Sequence, residues 1–335
     1  MTKIYLIRHA EAEGNLYRRI HGQFESKITP NGRRQIAALE ARFADIPVDA
    51  CYSSDFLRTQ TTARAVHVPK GLPLQLDPGF REIGLGIWEN KPFGWLDTFE
   101  AANMAAFNQD PVHWHVEGSE SYEAYTGRFI QAMTRAAEAY PDGTIAIFTH
   151  GAVLRGVSMA LFPAEKATHC DNTAVSLLCY ENGNFSFEFL NDNSHLDPSI
   201  STLGRQHWWR NGAKRDLNLW FRPGFTALPG LEPPETFDTA FTAMLGMEPV
   251  GILCLSGAGS LDYLGLLPQY RGQNLAIQLV GQAVFYFREQ GRERLWFRMP
   301  RDNASFSALC QRLDVTISET GDCEMDLRLQ SRRNG

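Results

Sequence analysis

Two histidines in this sequence follow short apolar runs that have the composition of buried strands. Residues 4–7 lead directly into Arg8 and His9, and residues 145–149 lead directly into His150. Ligands bind at the carboxyl ends of strands in open α/β sheets, so we expect both imidazoles at one sheet edge. A guanidinium binds a phosphate dianion with two donors, and an imidazole attacks phosphorus or accepts a proton. The spacing favours phosphoryl chemistry, although an isolated Arg-His pair is more often an ordinary surface turn.

The composition narrows the class of protein. The 335 residues are enough for two domains, and the formal net charge of −6 gives no electrostatic case for nucleic acid or an anionic membrane. No apolar run approaches membrane-spanning length, and Arg8 and His9 interrupt the N-terminal run before it could form a signal peptide. Six cysteines are scattered without a Cys-x-x-Cys pair. We therefore expect a cytoplasmic protein that binds neither nucleic acid nor membrane.

Apolar patterns predict alternating strands and helices over the first 190 residues. The predicted strands span residues 4–7, 48–52, 72–76, 144–149, 175–180 and 185–190. The predicted helices begin at Thr29-Pro30, at a cap within Ser53-Ser54-Asp55, at residue 120 and at residue 152. This alternation is typical of an α/β sheet covered on both faces, and Asn182-Gly183 is a hairpin signal. A turn-rich run at residues 191–198 predicts a boundary between a first domain, residues 1–197, and a second, residues 198–335.

Several motifs follow one another in this first part of the chain. The spacing Arg-His-x-Glu-x-x-x-Asn occurs at Arg8, His9, Glu11 and Asn15. The later motifs are Thr29 with Gly32, Ser53-Ser54-Asp55 with Arg58 and Thr62-Ala63, Glu82 with Gly86, Trp88 and Glu89, Glu120-Ser121 with Arg128, Thr149-His150-Gly151, and Asn172. In these motifs the chain resembles the histidine phosphatase superfamily, which includes the cofactor-dependent phosphoglycerate mutases and whose signature has Gly at the place of Ala10. The resemblance implies a three-layer α/β/α, phosphoglycerate mutase-like fold.

The resemblance also implies a role for each matched side chain. His9 would be the nucleophile that forms a phosphohistidine, since flanking cations favour the neutral imidazole. Glu82 would protonate the leaving oxygen and then deprotonate water, and a bound phosphate dianion would keep its carboxyl group protonated beforehand. Transition-state stabilisation and substrate binding would fall to Arg8, Arg58, His150, Asn15, Gln23, Gly151 and Ala152.

These roles predict a phosphomonoester hydrolase that requires neither a metal ion nor a cofactor. The sequence has no Walker A motif. His113-Trp114-His115 contains two histidines that could bind a metal ion, but the sequence indicates no third ligand for such a site. The expected substrate is a small phosphorylated metabolite. A mutase, which returns the phosphoryl group to its substrate, is the alternative from another reaction class. Residues 88–118 form a modest insertion whose apolar side chains are expected to cover the pocket, namely Trp95, Phe99, Met104, Phe107 and Trp114.

The second half of the chain carries a different motif. Gln269, Arg271, Gly272 and Asn274 lie between a predicted strand at residues 261–267 and a predicted helix. This turn resembles the Gln/Arg-x-x-Gly-x-Gly/Ala motif of the GNAT acyltransferases, with Asn274 where Gly is usual. The resemblance implies a smaller α+β domain, in which backbone N–H groups at the helix start hold the pyrophosphate of acyl-CoA.

Departures from the GNAT pattern limit the activity that we expect from this half. Cys310 stands where the family often has the Tyr that protonates the CoA thiolate, so we expect binding of CoA or acetyl-CoA without efficient acetyl transfer. One alternative for this half is an active N-acetyltransferase. The other is a structural domain in which the helix start that follows the strand binds no ligand. Asn303 also aligns with the family. In addition, we predict a helix at residues 235–244 and interface packing by the aromatic, basic stretch at residues 207–210.

Overall fold

A computed structural model of the chain describes residues 1–163, 169–206, 216–298, 304–319 and 321–329. Two compact units are present, and each consists of three segments of the chain. Unit 1 comprises Met1–Ala12, His21–Glu89 and Ala105–Lys214, and unit 2 comprises Glu13–Ile20, Asn90–Met104 and Arg215–Gly335. The units therefore alternate along the sequence, whereas the sequence predicts one boundary after residue 197. The stretch at residues 207–210 and Asn303 lie outside the described residues.

Unit 1 contains a six-stranded mixed sheet. Its strands are β1 Thr2–Arg8, β2 Ala50–Ser53, β3 Leu74–Leu76, β4 Thr144–Thr149, β5 Val175–Glu181 and β6 Asn184–Asp192. Their order is β3-β2-β4-β1-β5-β6; the first four strands are parallel to one another, and β5 is antiparallel to both of its neighbours, β1 and β6. Asn182 and Gly183 have φ values of 49° and 82°, as a tight hairpin requires. The mixed α/β fold predicted for the N-terminal part is confirmed.

Helices cover this sheet and supply much of its core. Within the described residues, the α-helices are α1 Glu13–Tyr17, α2 Pro30–Phe43, α3 Leu57–His67, α4 Phe93–Phe99, α5 Ala101–Gln109, α6 Tyr122–Glu138, α7 Gly151–Leu161, α8 Ala276–Glu289 and α9 Ala304–Cys310. In unit 1, α2 and α3 bring Leu39, Phe43 and Val66 into one core with Ile7 and Phe148. Because strand side chains alternate between faces, the neighbours of these strand residues point to the opposite face, where α6 contacts β1 and α7.

The local signals at two helix starts have different outcomes. Thr29 caps α2 as predicted, since its hydroxyl accepts a backbone N–H from the first turn and Pro30 follows. The cap predicted within residues 53–55 is wrong, because Phe56 is the N-cap residue of α3 and makes no side-chain cap bond. The Asp55 carboxylate instead accepts two hydrogen bonds from Arg81, at 2.7 and 2.5 Å. A bidentate ion pair is stronger than a hydrogen bond at a helix N-cap, so Asp55 pairs with Arg81 and does not cap α3.

Residues 200–206 pack against unit 1 through two buried carboxylates near the amino-terminal motif. Glu11 accepts hydrogen bonds from Thr202 at 3.1 Å and from Arg205 at 2.5 Å. Asp171 accepts one from the Ser201 hydroxyl at 2.6 Å. Both carboxylates are almost fully buried, at 3% and 2% exposure. Buried carboxylates require such partners, so this segment is integral to unit 1.

Unit 2 contains a second, seven-stranded sheet in the order β12-β13-β11-β10-β9-β8-β7. Its strands are β7 Trp220–Pro223, β8 Thr239–Leu245, β9 Glu248–Ser256, β10 Ser260–Leu266, β11 Arg294–Arg298, β12 Thr316–Ile317 and β13 Asp322–Asp326. Only β10 and β11 are parallel among these neighbours. They are joined through α8 and share one pair, Ser260 with Trp296. The helix predicted at residues 235–244 is wrong, because the pairing of β8 with β7 and β9 selects a strand for a run with ambiguous periodicity.

The predicted apolar rim is divided between the two units. Trp95 and Phe99 belong to unit 2 and pack against each other with ring centroids 5.6 Å apart. Phe107 and Trp114 belong to unit 1, where their rings lie 4.8 Å apart and both contact Trp88. In the part of the chain that the structure describes, no helix is long and apolar enough to cross a membrane.

Candidate active site

The register of β1 and β4 brings the two predicted histidines together. Arg8 lies opposite Thr149 in this parallel pair, and the N–H of His9 donates to the carbonyl of Thr149 at 2.9 Å. His9 and His150 therefore leave the sheet at the same edge, with ring centroids 5.3 Å apart. This arrangement confirms that the two strands end side by side, as the sequence predicts.

His9 is held as a neutral imidazole with a defined tautomer. Its Nδ1 lies 2.7 Å from the carbonyl oxygen of Ala10, which can only accept, so Nδ1 carries the proton and Nε2 keeps its lone pair. The side chain is 2% exposed. Burial lowers the pKa of His9 well below its usual range, and the charges of Arg58 and Arg8 lower this pKa further. The geometry is that of a nucleophile available at neutral pH.

Arg58 is a fully buried cation at the centre of the site. Its Nε donates to Nδ1 of His150 at 3.2 Å, so the proton of His150 sits on Nε2, which donates to the Ser54 hydroxyl at 3.0 Å. Its two amino groups donate to the carbonyls of Phe24 and Gly22, at 2.7 and 2.8 Å. Burial lowers the pKa of Arg58 to about 10, which leaves it charged at neutral pH. Burial, followed by Arg58, lowers the pKa of His150 well below its usual range.

Arg8 provides a second guanidinium whose hydrogen bonding is incomplete. One amino group donates to the carbonyl of Cys170. Its Nε is buried and has no hydrogen-bond partner among the described residues. A Cβ on Gly151 would lie 2.8 Å from this Nε, so the guanidinium rests against the first residue of α7. A buried donor beside a helix N-terminus favours an anion at this point.

Glu82 lies at the same helix N-terminus and uses two of its backbone donors. Its Oε1 accepts from the N–H groups of Ile83 and Val153 at 3.1 and 2.7 Å, and its Oε2 accepts from the N–H of Ala152 at 3.1 Å. Ala152 is a predicted substrate-binding residue, and its backbone N–H is directed to Glu82 in this structure. The carboxylate is positioned by α7 itself.

A second layer of residues holds the segment that carries Glu82. Arg128 donates to the carbonyl of Glu82 at 2.8 Å and forms two hydrogen bonds of 2.8 Å with Glu120. Burial raises the pKa of Glu120, but its hydrogen bonds with Arg128 and the Gly84 N–H outweigh burial and leave this pKa below its usual value. Gln23, a predicted substrate ligand, donates to the carbonyl of Glu82 at 3.2 Å. The sequence marks Glu120 and Arg128 only as motif residues and gives no indication of this supporting role.

Two further residues near His9 are not among the site residues that the sequence predicts. The ring of His21 lies 5.9 Å from that of His9, edge on, and its Nε2 is 2.7 Å from the Ser26 hydroxyl. Burial and then Arg58 lower the pKa of His21 well below its usual range. Asn172 donates from its side chain to the carbonyl of His9 at 2.9 Å. Only Asn172 has a sequence signal, because it matches a family motif.

Asn15 lies in α1, which belongs to unit 2, and its role as a phosphate ligand stays a prediction.

The sequence predicts that the reaction requires no metal ion. Among the described residues, no group of three or more His, Cys, Asp or Glu side chains is placed to hold a metal ion.

The predicted acyl-CoA turn lies between β10 and α8 in unit 2. Gly272 and Asn274 have φ values of 75° and 59°, so both adopt the left-handed conformation expected of this turn. Arg271 donates from Nε to the carbonyl of Leu266 at 2.9 Å. The Asn274 side chain accepts from Nη1 of Arg312 at 2.9 Å, which places a further cation beside the turn. Gln269 is exposed.

The family is established by the amino-terminal part of the chain. A model of the histidine phosphatase superfamily (branch 1) matches residues 4–193. The chain therefore belongs to the histidine phosphatase superfamily, and the resemblance of its first 190 residues is confirmed. The GNAT-like assignment of the second half stays a prediction.

The matches to individual relatives span about three fifths of this chain and the full length of each relative. A probable phosphoglycerate mutase GpmB of Cronobacter sakazakii is 27% identical over 215 residues, which is 61% of this chain and 100% of that protein. The structure of Bacillus stearothermophilus YhfR has a TM-score of 0.56 and 27% identity, and covers 59% of this chain and 100% of its own. A mutant phosphoserine phosphatase of Entamoeba histolytica, solved with phosphoserine, has a TM-score of 0.51 and 25% identity over 59% and 100% of the two chains.

The neutral histidines predict how stability depends on pH. The folded-state pKa values of His9 and His150 lie well below 6.5, so the unfolded chain binds more protons than the folded chain below that pH. The free energy of unfolding should therefore fall as the pH decreases from about 6.5, by about 1.4 kcal/mol per pH unit for each such histidine. Urea unfolding between pH 7.5 and 5.5 measures this slope. His9→Gln should reduce it, because the glutamine side chain takes up no proton in this range. An equal slope in His9→Gln would contradict the neutral, buried state.

Substitution of Gly151 tests the placement of Arg8. Gly151→Ala puts a Cβ 2.8 Å from Arg8 Nε, so the guanidinium must move while the fold is retained. We expect turnover of an aryl phosphate to fall by about 10²-fold, the usual effect of losing one donor to a developing anion. Gly127→Ala in α6 is the matched control, since a Cβ there meets no atom within 4 Å. Equal activity of the two variants would show that Arg8 needs no such placement.

Proposed function

We propose that unit 1 hydrolyses phosphomonoesters of small metabolites through a phosphohistidine, without a metal ion. The observation that carries this proposal is the neutral, buried His9, whose free Nε2 is flanked by the charges of Arg8 and Arg58. Two guanidinium groups suit the equatorial oxygens of a phosphoryl group in transfer, because its charge is spread over these oxygens. Membership of the superfamily supports an enzyme of this kind.

The reaction takes place in two displacement steps. In the first, the Nε2 lone pair of His9 attacks phosphorus, the P–O bond to the alcohol breaks, and protonated Glu82 gives its proton to the leaving oxygen. In the second, the Glu82 carboxylate takes a proton from water, whose oxygen attacks the phosphohistidine. The P–N bond then breaks, which releases phosphate and restores the neutral imidazole. Arg8, Arg58 and the helix start at Gly151 stabilise the charge in both steps.

A phosphoglycerate-type mutase is the second candidate for this unit, and the name of the Cronobacter sakazakii relative favours it. The two reactions share the phosphohistidine and differ in its acceptor, which is water in one and the bound product in the other. We favour hydrolysis, because the insertion at residues 88–118 is modest and should leave the phosphohistidine open to water.

One prediction of this proposal concerns His9. In EDTA, His9→Ala should abolish hydrolysis of p-nitrophenyl phosphate, because the variant lacks the nucleophile that forms the proposed phosphohistidine. Wild type incubated with a phosphomonoester should release inorganic phosphate in stoichiometric amounts, as measured by a phosphate assay. Retained turnover in His9→Ala would contradict the covalent mechanism, and an isomeric phosphoester with little free phosphate would identify a mutase instead.

A further prediction concerns Glu82 as the general acid. Glu82→Gln retains one acceptor for the α7 N–H groups but has no proton to give. Hydrolysis of an alkyl phosphate should slow by about 10²- to 10⁴-fold, the usual range for general acid catalysis. Hydrolysis of p-nitrophenyl phosphate should slow far less, because its leaving group needs little protonation. Steady-state kinetics with both substrates measure this difference, and equal slowing would remove Glu82 from this role.

We propose separately that unit 2 binds CoA or acetyl-CoA weakly and transfers acetyl groups poorly. The supporting observation is the turn at Gly272 and Asn274, which opens α8 between the parallel strands β10 and β11 and lies beside Arg312. Backbone N–H groups at such a turn suit a pyrophosphate. Burial raises the pKa of Cys310 to about 12, so this thiol is a poor proton donor for a leaving CoA thiolate. An active N-acetyltransferase is the alternative for this unit.

Calorimetry with acetyl-CoA tests the turn. Gly272→Ala should weaken binding, because a side chain at a φ of 75° strains the backbone that would approach the ligand. Gly230→Ala, at a φ of 77°, is the matched control and should leave binding unchanged. A thiol-release assay over a panel of amines should stay near background. Brisk CoA release would identify an acetyltransferase, and no binding at millimolar ligand would exclude acyl-CoA as the ligand.

The proposal includes a cytoplasmic location. The six cysteines are all buried, free thiols, and such thiols are compatible with a reducing compartment.

A further inference from the structure

We propose that Ser201 and Arg205 are positioning residues for the phosphoryl transfer of unit 1, because they hold two loops that fix the backbone of His9. The two loops are residues 9–12, after β1, and residues 170–174, before β5. The proposal rests on the proposed function and adds to it. Residues 200–205, here called the clip, belong to unit 1 and follow the part of the chain that matches the histidine phosphatase superfamily.

The loop before β5 supports the backbone at the end of β1. The side chain of Asn172 donates to the carbonyl of His9 at 2.9 Å. The N–H of Thr173 is shared between the carbonyls of Arg8 and His9, at 3.2 and 3.4 Å. The carbonyl of Cys170 accepts from the guanidinium of Arg8. This loop therefore holds both the proposed nucleophile and one proposed phosphate ligand.

The conformation of this loop is strained and has a buried anchor. Thr173 has a φ of 61°, a left-handed conformation that β-branched residues disfavour. The anchor is the Asp171 carboxylate, which is 2% exposed. Its Oδ2 accepts from the Ser201 hydroxyl at 2.6 Å and from Asn193 at 3.1 Å, and its Oδ1 accepts from the Leu203 N–H at 3.1 Å. The clip thus supplies two of the three donors that come from outside the loop.

The clip also holds the loop that follows β1. Glu11 lies two residues beyond the proposed nucleophile and is 3% exposed. Its Oε2 accepts from Arg205 at 2.5 Å and from Thr202 at 3.1 Å. The backbone N–H of Glu11 donates to Gln35 at 2.7 Å, and Gln35 in turn donates to the carbonyl of Ile200 at 2.7 Å. Both the side chain and the backbone of Glu11 are therefore connected to the clip.

Arg205 supplies a charged donor to Glu11. The carboxylate also accepts from two neutral donors, Thr29 at 2.8 Å and Asn31 at 3.2 Å. A buried carboxylate that loses its charged partner is destabilised or shifts toward water. Either response displaces the residues next to His9. The clip therefore acts on the position of the nucleophile and makes no contact of its own with the reacting atoms.

Substitutions in the full chain test the role of the clip. Single-turnover release of p-nitrophenol from p-nitrophenyl phosphate measures the attack by His9. Ser201→Ala and Arg205→Met should each slow this step by about 10- to 10²-fold, since a misplacement of about 1 Å can cost 10²-fold. Arg205→Lys keeps a charged donor and should restore the rate to within about threefold of wild type. Rates are compared at a temperature at which urea unfolding shows every variant to be folded.

A control variant separates placement from stability. Ile145 is fully buried at the start of β4, five residues before His150 and about 16 Å from it along the strand. Ile145→Ala should lower the free energy of unfolding through the cavity that it leaves, but it should retain the wild-type single-turnover rate.

A mutant cycle tests the path from the clip to His9. Ser201 would act through Asp171 and its neighbour Asn172. Asn172→Ala alone should slow the single turnover, and the variant with Asn172→Ala and Ser201→Ala should lose no more than the larger single loss. Independent contributions to stability would instead give losses that multiply. This cycle also decides the matter if Arg205→Met does not fold.

The outcomes separate this proposal from the proposed function. No His9-dependent turnover in the wild type would overturn the proposed function and this proposal with it. With turnover present, an unchanged rate in Ser201→Ala, equal slowing in Ile145→Ala, or multiplying losses in the cycle would overturn the positioning role alone. No recovery in Arg205→Lys would contradict the part assigned to the charge of Arg205.

Discussion

The burial of Arg58 without a hydrogen-bonded carboxylate is the constraint on which the rest of the site depends. Its guanidinium donates to two carbonyls and to Nδ1 of His150, and the carboxylates of Glu82, Glu25 and Glu89 favour its charge through electrostatic attraction. Burying a cation in this way is costly, and a bound anion would offset the cost. Burial lowers the pKa of His9 and of His150, and the charge of Arg58 lowers both pKa values further, which keeps both imidazoles neutral. One buried charge thus prepares both the nucleophile and the attraction for a phosphate.

The start of α7 combines two functions that are usually separate. Its first residue, Gly151, allows the approach of Arg8, and its next two backbone N–H groups hold the carboxylate of Glu82. The positive end of the helix dipole favours both a carboxylate and a phosphate. Because the proposed acid and one proposed phosphate ligand share this helix end, their separation is set by rigid secondary structure.

The assignment of α1 to unit 2 changes how the two halves of the chain should be understood. A division at residue 197 treats the second half as an appended domain. In the structure, the segment that follows the nucleophile motif is folded against α8, and the contact at Gly281 leaves no room for a side chain. Unit 2 would therefore contribute to the conformation of a motif that belongs, by sequence, to the histidine phosphatase part.

The sequence by itself determined the features that have local causes. Apolar runs before Arg8 and His150 specified two buried strands, Thr29 with Pro30 specified a helix start, and Asn182-Gly183 specified a hairpin. These succeed because hydrophobic period, side-chain capping and permitted φ values act within a few residues. The order of the motifs was enough to identify the family, and the roles that the family implies for the matched side chains stay predictions.

Only the tertiary structure decided which partner each polar side chain takes. Asp55 pairs with Arg81 instead of capping α3, Glu82 caps α7, and Arg58 sets the tautomer of His150. In each case the partner lies 26 residues or more away in sequence, and the choice depends on burial and on competing donors. Long-range contacts also decided two features of the backbone. Pairing across the sheet made β8 a strand, and the glycine contact with α8 placed α1 in unit 2, so in both cases contacts between distant residues override weak local preferences.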